Sequence, residues 1–373
     1  MKYIGFYDRE LNRRAMCLAA TNKMDYICEA INWVGEKVTI VSCGMITEEV
    51  IAENEEIISD AITVKYFKSS KQSKNKLKRI YNVFMQNIRL FFYLMNNVSA
   101  NEKIMVYHSL ALMRCLYIAK KIKSFKMILE VEEFYNDVRL KSNASKSMEK
   151  KFIECADAYI FPTKLLNEKF NSYNKPVVIT HGTYKIESDR NVSFQDGKIH
   201  VVYAGTFDPR KGGAIAAIGS AEFLPENYYV HIIGFGNEIE TNNIKALVKK
   251  TNEKSKATVT YDGLLSGEEY IQFLQKCQIG LSTQNPDADF SATSFPSKIL
   301  SYMANGLRVV TVRIPAIETS DIGNDVYYYD KQEPEEIAKV IMSIDFNDGY
   351  DGRERIKELD KRFKKELQEL IRK

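Results

Sequence analysis

The sequence lacks the segments that mark a membrane-spanning or secreted protein. No uninterrupted apolar stretch approaches the roughly 20 residues that a helix needs to cross a bilayer. The first ten residues, MKYIGFYDRE, lack the apolar core of a secretion signal. The six cysteines form no close pairs and no zinc-binding spacing. We therefore expect a cytoplasmic protein whose thiols are free.

Acidic residues are absent from residues 61–101, which contain eight Lys or Arg. The spacing of apolar residues predicts a helix over 75–97, and Lys74, Lys78 and Arg79 lie at its entry. An apolar, aromatic helix face beside a group of cations is typical of proteins that lie on an anionic membrane surface. The alternative is a core helix that follows a solvated basic loop. The formal net charge of +4 is too small to indicate nucleic-acid binding.

At 373 residues, with 45% hydrophobic and 11% aromatic residues, the chain is long enough for two globular domains. Strand and helix patterns alternate in both halves, which predicts two α/β domains with doubly wound, Rossmann-like sheets. We place these domains at residues 1–190 and 191–350, followed by an amphipathic helix at 351–373. The strands are predicted at residues 3–7, 37–43, 104–107, 126–131, 159–161 and 176–180, and then at 199–204, 228–233, 258–261, 279–282 and 308–312.

The segment SATSFPSKILSYMANGLRVVT, residues 291–311, predicts a loop, a helix and a buried strand. Gly306 ends the helix, which begins at Lys298. A helix start carries unpaired N–H groups and partial positive charge, so Ser297 and Lys298 at this position suit a phosphate group. Taken alone, the segment is equally compatible with an ordinary capped helix that packs on a sheet.

A second basic helix start lies upstream in HVVYAGTFDPRKGGAIAAI, residues 200–218. A hydrophobic strand ends at Gly205, a loop carries Arg210 and Lys211, and two glycines then open a helix. Glycines let the backbone approach a ligand closely, and the cations neutralise it. A Gly-x-Gly turn at 233–236 is a weak motif by itself. Together these elements predict a nucleotide diphosphate across the carboxyl ends of a parallel sheet.

These two elements resemble motifs of the GT-B fold glycosyltransferases of the large retaining family 4. GTFDPRKGG is similar to their glycine, basic-loop and Lys-Gly element, and FPSKILSYMANGLRVV is similar to their FPSK-x-x-E-Y-M-A-x-G-x-P-V-V element. Residues 12–26, His108 and the run ADAYIFPT at Ala156 resemble the acceptor domain of the family. The resemblance covers most of the chain and is strongest in the C-terminal half.

The resemblance implies two Rossmann-like domains that face a cleft, with the C-terminal helix crossing back to the first domain. It implies a nucleotide-diphosphate sugar of the UDP or GDP type as donor, with no other cofactor and no metal. In the family, the lysine that matches Lys211 contacts the donor diphosphate, and the Ser-Lys of FPSK lies beside it. The residues expected at the donor are Gly205, Thr206, Gly234, Gly236, Thr293, Ser294, Phe295, Pro296, Ser297, Lys298 and Ser301.

The chain departs from the family pattern at three positions. The family usually has two acidic residues eight apart, one near the transferred sugar and one on the ribose, and here Thr293 and Ser301 occupy these places. The arginine that often follows the glycine of the first element is replaced by Thr206. A hydroxyl hydrogen-bonds a sugar but supplies no full negative charge, so other groups must orient the donor.

The first half contributes candidates for catalysis and acceptor binding. His108 follows a predicted strand, begins a predicted helix and resembles the histidine that the family places near the reacting sugar, although a lone histidine also suits a packing role. Glu132 lies at a strand end, where an unpaired carboxylate suits acceptor binding or proton uptake. The candidate catalytic residues are Lys211, Arg210, His108 and Glu132. The candidate acceptor or membrane face comprises Asn12, Arg13, Lys74, Lys78 and Arg79.

The sequence therefore predicts a glycosyltransferase that moves a sugar from a nucleotide-diphosphate donor to a hydroxyl of a glycan or lipid-linked glycan. By resemblance, the reaction retains configuration, and the protein lies in the cytoplasm or peripherally at the inner face of the plasma membrane. The triplet Asp-Ala-Asp at 287–289 resembles a metal-binding motif of another fold, which two doubly wound halves argue against. The alternative is a catalytically inactive scaffold of the same fold, which the hydroxyls at Thr293 and Ser301 motivate.

Overall fold

The computed structural model describes residues 1–10, 13–47, 55–67, 71–138, 143–210, 212–286 and 294–372. The chain divides into two compact units. Unit 1 comprises Met1–Thr183 and Arg362–Lys373, and unit 2 comprises Tyr184–Lys361.

Unit 1 alternates strands and helices along the chain. Its strands are β1 (Lys2–Gly5), β2 (Val38–Ser42), β3 (Glu55–Ser59), β4 (Ile62–Tyr66), β5 (Lys103–Tyr107), β6 (Lys126–Glu130), β7 (Ala158–Phe161) and β8 (Val177–Ile179). Its helices are α1 (Leu18–Trp33), α2 (Lys76–Asn97), α3 (Met113–Lys123), α4 (Tyr135–Val138), α5 (Asn143–Glu154) and α6 (Lys164–Phe170).

Unit 2 repeats this alternation. Its strands are β9 (Ile199–Thr206), β10 (Tyr228–Phe235), β11 (Thr258–Gly263), β12 (Ile279–Ser282), β13 (Arg308–Val312) and β14 (Tyr327–Tyr329). Its helices are α7 (Gly213–Ser220), α8 (Glu238–Asn252), α9 (Gly267–Lys276), α10 (Lys298–Ala304), α11 (Pro315–Glu318) and α12 (Pro334–Met342), and a 3-10 turn covers Ala221–Phe223. The last helix, α13 (Gly352–Arg372), begins in unit 2 and ends in unit 1.

Both sheets have the doubly wound topology that the sequence predicts. The order in unit 1 is β3-β4-β2-β1-β5-β6-β7-β8, and every neighbouring pair is parallel except β3 with β4. The order in unit 2 is β11-β10-β9-β12-β13-β14, and all pairs are parallel. Strands such as β7 and β12 are buried at every position, as expected for strands covered on both faces.

Local details differ from the sequence prediction. The N-cap of α1 is Cys17, which makes no side-chain capping bond, and Thr21 is buried in the first turn. The strands β3, β4 and β14 were not predicted. The amphipathic C-terminal helix is confirmed, and its Phe363 ring stacks on Tyr26 with the centroids 5.3 Å apart. Among the helices of the described ranges, none is both long enough and apolar enough to span a bilayer.

The side chain of Tyr302 lies where the central strands β9 and β12 separate. These strands pair at Val201 and Val202, and further along the fully buried Tyr302 hydroxyl accepts from the Ala204 N–H at 2.8 Å and donates to the Leu281 carbonyl at 3.3 Å. A Cβ atom at Gly280 would lie 2.4 Å from the Tyr302 ring, so glycine leaves the space that the ring occupies. The hydroxyl thus replaces a ladder contact between the two strands.

We expect Tyr302→Phe to lower the free energy of unfolding by about 1–3 kcal/mol, because it leaves a buried N–H and a buried carbonyl without a partner. Chemical denaturation measures the change. Tyr173→Phe, at a strongly exposed tyrosine, is the matched control and should change stability by less than about 0.5 kcal/mol. Equal stabilities of the two variants would show that the Tyr302 hydroxyl does not hold the strands.

Candidate functional site

The carboxyl ends of β9 and β12 define a candidate site in unit 2. From β9 the chain continues to β10 and β11 on one side, and from β12 it continues to β13 and β14 on the other. In open parallel sheets, ligands bind outside the carboxyl ends of the strands at such a switch point. β9 ends at Thr206 and β12 ends at Ser282, so the residues around these two ends form the candidate site.

Lys298 brings a positive charge to the carboxyl end of β9. Its Nζ lies 4.1 Å from the centroid of the Tyr203 ring, a favourable cation–π geometry. A Cβ atom at Gly205 would lie 2.8 Å from this Nζ, so glycine leaves room for the ammonium group. The Tyr203 hydroxyl donates to the Thr206 carbonyl at 3.3 Å, which fixes the ring. The half-buried ammonium group is therefore held beside the last residues of β9.

The start of α7 packs directly on the end of β12. Thr283 Oγ1 donates to the Gly213 carbonyl at 2.7 Å, and a Cβ atom on Gly213 would lie 2.1 Å from the Thr283 carbonyl oxygen. Gly212, the N-cap of α7, has a φ of 63°, which favours glycine. On the other side of β9, a Cβ atom at Gly234 would lie 1.8 Å from the Gly205 carbonyl oxygen. Glycine at these positions therefore permits the close backbone packing around the end of β9.

The Phe-Pro-Ser-Lys loop leads into α10 as the sequence predicts. Ser297 is the N-cap of α10, is exposed and makes no side-chain capping bond. The Pro296 carbonyl accepts from the Ile299 N–H at 3.1 Å, and the Phe295 side chain is buried. The Ser294 hydroxyl oxygen is buried, and no hydrogen-bond partner for it occurs among the described residues.

Arg210 and Ser301 are both bonded to other side chains of unit 2. The exposed Arg210 guanidinium donates to Asp208, with Nε 3.0 Å from Oδ1 and Nη2 2.6 Å from Oδ2. This hydrogen-bonded ion pair raises the pKa of Arg210. The Ser301 side chain shares a hydrogen bond with the Tyr270 hydroxyl. The charge of Arg210 therefore has Asp208 as its counterion.

Two further donor candidates, Lys211 and Thr293, lie outside the described residues, as does the acceptor candidate Asn12.

Gly236 follows β10, and a Cβ atom there would lie 2.7 Å from Glu240 Oε2. Glu240 completes the capping box of α8, so Gly236 lets that cap form next to the strand end.

His108 is the first residue after β5, at the switch point between β1 and β5 of unit 1. It does not begin a helix, since α3 begins at Met113. Its buried ring stacks on Tyr135, with the centroids 5.1 Å apart, and its Nε2 lies 3.4 Å from Glu149 Oε1. Burial lowers the pKa of His108 to about 4. The ring is therefore neutral near pH 7 and offers one donor and one acceptor nitrogen.

Glu149 fixes the segment that stacks on His108. This buried carboxylate accepts from the backbone N–H groups of Tyr135 at 2.8 Å and Asn136 at 3.1 Å, and also from the Asn136 side-chain amide. Glu149 was not among the residues predicted from the sequence, although it is a charged residue one turn before the apolar Phe152 and Ile153 of α5. A carboxylate in the apolar stripe of a helix signals a buried partner.

Glu132 lies two residues beyond β6 and forms an ion pair with a buried lysine. Lys23 Nζ is 3.5 Å from Glu132 Oε1 and also donates to the carbonyls of Thr180 at 3.3 Å and Gly182 at 3.0 Å. Burial lowers the pKa of Lys23, and the Glu132 carboxylate opposes this shift. Sequence analysis missed Lys23, a lysine in the mostly buried first half of α1.

Glu130, the last residue of β6, is completely buried beside Glu132. It accepts from the Tyr3 hydroxyl and shares a hydrogen bond with the Glu132 side chain. Burial, followed by the charge of Glu132, raises the pKa of Glu130 well above its ordinary value. Glu130 is therefore the buried member of this carboxyl pair, whereas Glu132 is partly exposed and pairs with Lys23.

The predicted acceptor-face cations have different surroundings. The Arg13 Nε donates to both oxygens of Asp8 at 3.0 and 2.9 Å, and its Nη2 donates to Glu56 at 3.0 Å, so this guanidinium is held within unit 1. Lys74, Lys78 and Arg79 are exposed around the start of α2. No group of three or more His, Cys, Asp or Glu with metal-binding geometry occurs in the described ranges.

Comparison with known proteins identifies the fold. No protein-family model and no curated protein sequence matches this chain. Sucrose-phosphate synthase from Thermosynechococcus elongatus matches with a TM-score of 0.72 and 14% identity, covering 100% of this chain and 98% of that one. HepE from Anabaena, in complex with UDP and glucose, matches with a TM-score of 0.66 and 12% identity over 100% and 99% of the two chains.

A third similar structure is the lipopolysaccharide outer core galactosyltransferase WaaB, with a TM-score of 0.59 and 11% identity over 100% of this chain and 99% of that one. At such identities, structural likeness establishes the fold. The predicted fold, with two Rossmann-like units of the GT-B type, is confirmed.

The low pKa of His108 predicts acid sensitivity. Between about pH 6.5 and pH 4 the unfolded chain takes up a proton that folded His108 excludes, so stability is greatest above this window and falls as the pH is lowered through it. We expect the free energy of unfolding to fall when the pH is lowered from about 7 to about 5, and to fall by about 2 kcal/mol more in the wild type than in His108→Gln. Urea denaturation at the two pH values measures this. Parallel losses in both proteins would contradict a neutral, buried His108.

Proposed function

We propose that this protein is a glycosyltransferase that moves a sugar from a nucleotide-diphosphate donor to a hydroxyl of a glycan or lipid-linked glycan. The observation that carries the proposal is the Lys298 ammonium group, which lies at the carboxyl end of β9 in the space left by Gly205. Similar structures include one in complex with UDP and glucose, and another is a galactosyltransferase by name, which supports this choice of ligand.

The cations of unit 2 supply the chemistry that the donor requires. When the bond between the sugar C1 and the diphosphate oxygen breaks, the electron pair stays on the diphosphate and the sugar becomes cationic. Lys298 stabilises that developing negative charge. We assign the same role to Lys211 and Arg210 because they match the basic loop of the sequence motif. The cations and the helix starts of α7 and α10 thus do what a divalent metal does in other transferases.

Unit 1 presents the groups that we assign to the acceptor. The acceptor oxygen forms the new bond to C1, and its proton passes to the Glu132 carboxylate, which pairs with Lys23. Because both ring nitrogens of the neutral His108 are buried, we assign this residue to holding the segment at Tyr135 and not to general acid catalysis. Retention of configuration follows from the family resemblance.

Donor orientation rests on hydroxyl groups where the family uses carboxylates. Ser301 binds the ribose together with Tyr270, since the two hydroxyls already share a hydrogen bond. The buried, unpaired Ser294 hydroxyl oxygen is a further candidate for a donor contact. Two hydroxyl groups form weaker hydrogen bonds to a ribose than one carboxylate does, so we expect modest affinity for the nucleoside itself.

A panel of UDP, GDP, ADP and dTDP sugars tests the function by thermal shift and by slow donor hydrolysis. A transferase binds one class of donor and hydrolyses it slowly in the absence of an acceptor. The second candidate, an inactive scaffold of the same fold, is favoured by the hydroxyl at Ser301 in place of a carboxylate. Failure of every nucleotide sugar to bind would support the scaffold and contradict the transferase.

We expect Lys298→Gln to lower kcat/KM by about a hundredfold, because it removes the charge that stabilises the departing diphosphate. The matched control is Lys250→Gln, at an exposed lysine of α8, which should retain wild-type turnover. The thermal unfolding of both variants should match the wild type within a few degrees. Wild-type kinetics in Lys298→Gln would remove this residue from the mechanism.

Lys211→Ala should also depress turnover strongly, by about a hundredfold, without unfolding the protein. The physical reason is the same loss of positive charge beside the leaving group. Steady-state kinetics and circular dichroism on the same preparation separate lost chemistry from lost structure. A variant with unchanged turnover would show that Lys211 does not contact the diphosphate.

A further inference from the structure

The first half of α2 exposes the apolar stripe that an ordinary surface helix buries. Leu77 is 78% exposed and Phe84 is 60% exposed, with Ile80 and Tyr81 exposed between them. These positions follow the helical spacing i, i+3, i+4 and i+7, so they form one stripe along the helix.

The opposite side of this half of α2 is buried although it is polar. Asn82 and Gln86 are its buried residues, and Asn82 Nδ2 donates to the Lys71 carbonyl at 2.9 Å. Leu90 and Leu94, in the second half of α2, place apolar side chains in the core. The orientation of α2 therefore leaves a row of large apolar side chains outside the core of unit 1.

The neighbouring helix α3 extends this surface. Cys115 Sγ lies 3.2 Å from the Asn87 carbonyl, and Lys123 Nζ donates to the Met95 carbonyl at 2.6 Å, so the two helices lie side by side. The exposed residues of α3 are Arg114, Ile118, Lys121 and Ile122. We name the exposed apolar residues Leu77, Ile80, Tyr81, Phe84, Phe92, Ile118 and Ile122 the α2–α3 surface.

The two helices of the α2–α3 surface carry charges of one sign. The sequences of α2 and α3 contain no Asp or Glu, and exposed cations include Lys76, Lys78, Arg79 and Lys121. A second copy of the chain would bring like charges together, which disfavours self-association. An anionic lipid bilayer accepts apolar side chains below its headgroups and cations at their level.

We propose that the α2–α3 surface docks unit 1 on an anionic lipid bilayer, with α2 lying in the plane of the interface. The apolar stripe enters the boundary between headgroups and acyl chains, while the lysines and arginines contact lipid phosphates. Docking of this kind brings the proposed transferase to lipid-linked acceptors, and it holds whether or not that activity is confirmed.

Co-sedimentation of the 373-residue protein with vesicles tests the proposal without using enzymatic activity. One set of vesicles is phosphatidylcholine, and the other contains about one third phosphatidylglycerol. We expect binding to the anionic set, at least tenfold weaker binding to the neutral set, and loss of binding as salt is raised from about 0.1 M to about 0.5 M. Absence of binding to anionic vesicles at low salt would overturn the proposal.

The double variant Leu77→Ser with Phe84→Ser should lower the vesicle partition coefficient about tenfold or more. Its matched control is Ile239→Ser with Leu264→Ser, at unit 2 residues that are 74% and 63% exposed, and this control should bind as the wild type does. Sedimentation velocity without lipid measures the oligomeric state of the wild type and of the Leu77 and Phe84 double variant. If the wild type is a dimer and the double variant is a monomer, the α2–α3 surface is an interface between two copies of the chain. That result would show that the membrane proposal is wrong.

Discussion

The hydroxyl of Tyr302 is the contact on which the candidate donor site depends. It bridges β9 and β12 just beyond their last ladder pair. Lys298 is four residues earlier in α10 and lies on the same face of that helix, so the anchoring of Tyr302 also sets the position of the ammonium group. Gly280 leaves the space for the ring and Gly205 leaves the space for the ammonium group. The absence of a side chain at Gly280 and at Gly205 therefore determines the position of the Lys298 ammonium group.

Buried charge is arranged differently in the two units. In unit 1, the buried Lys23 pairs with Glu132 and donates to the carbonyls of Thr180 and Gly182, because an isolated buried charge is too costly to keep. In unit 2, the Lys298 ammonium group lies over the Tyr203 ring, in the space that Gly205 leaves at the end of β9. The exposed Arg210 guanidinium pairs with Asp208. The position of Lys298 at the strand end makes it a candidate for phosphate binding.

Much of the fold was predictable from the sequence because its signals are local. Apolar runs predict the buried strands, and the stripe of α13 predicts its amphipathic helix. The missed strands are short or half-exposed, since β3 alternates between exposed and partly buried positions and β14 has three residues. Such segments gain their structure from pairing with a neighbour, which no local pattern specifies. The N-cap of α1 was also missed because Cys17 makes no side-chain bond to reveal it.

For the candidate site, the sequence by itself determined the residue types and the loop that carries Lys298, because a Ser-Lys pair at a helix start is a local signal. It could also place Tyr203 and Gly205 on one face of a strand. The tertiary structure decided that this face meets Lys298, that Glu149 meets His108, and that α2 turns its polar side inward. These contacts join residues far apart in the chain, so they depend on strand order and packing and not on local sequence.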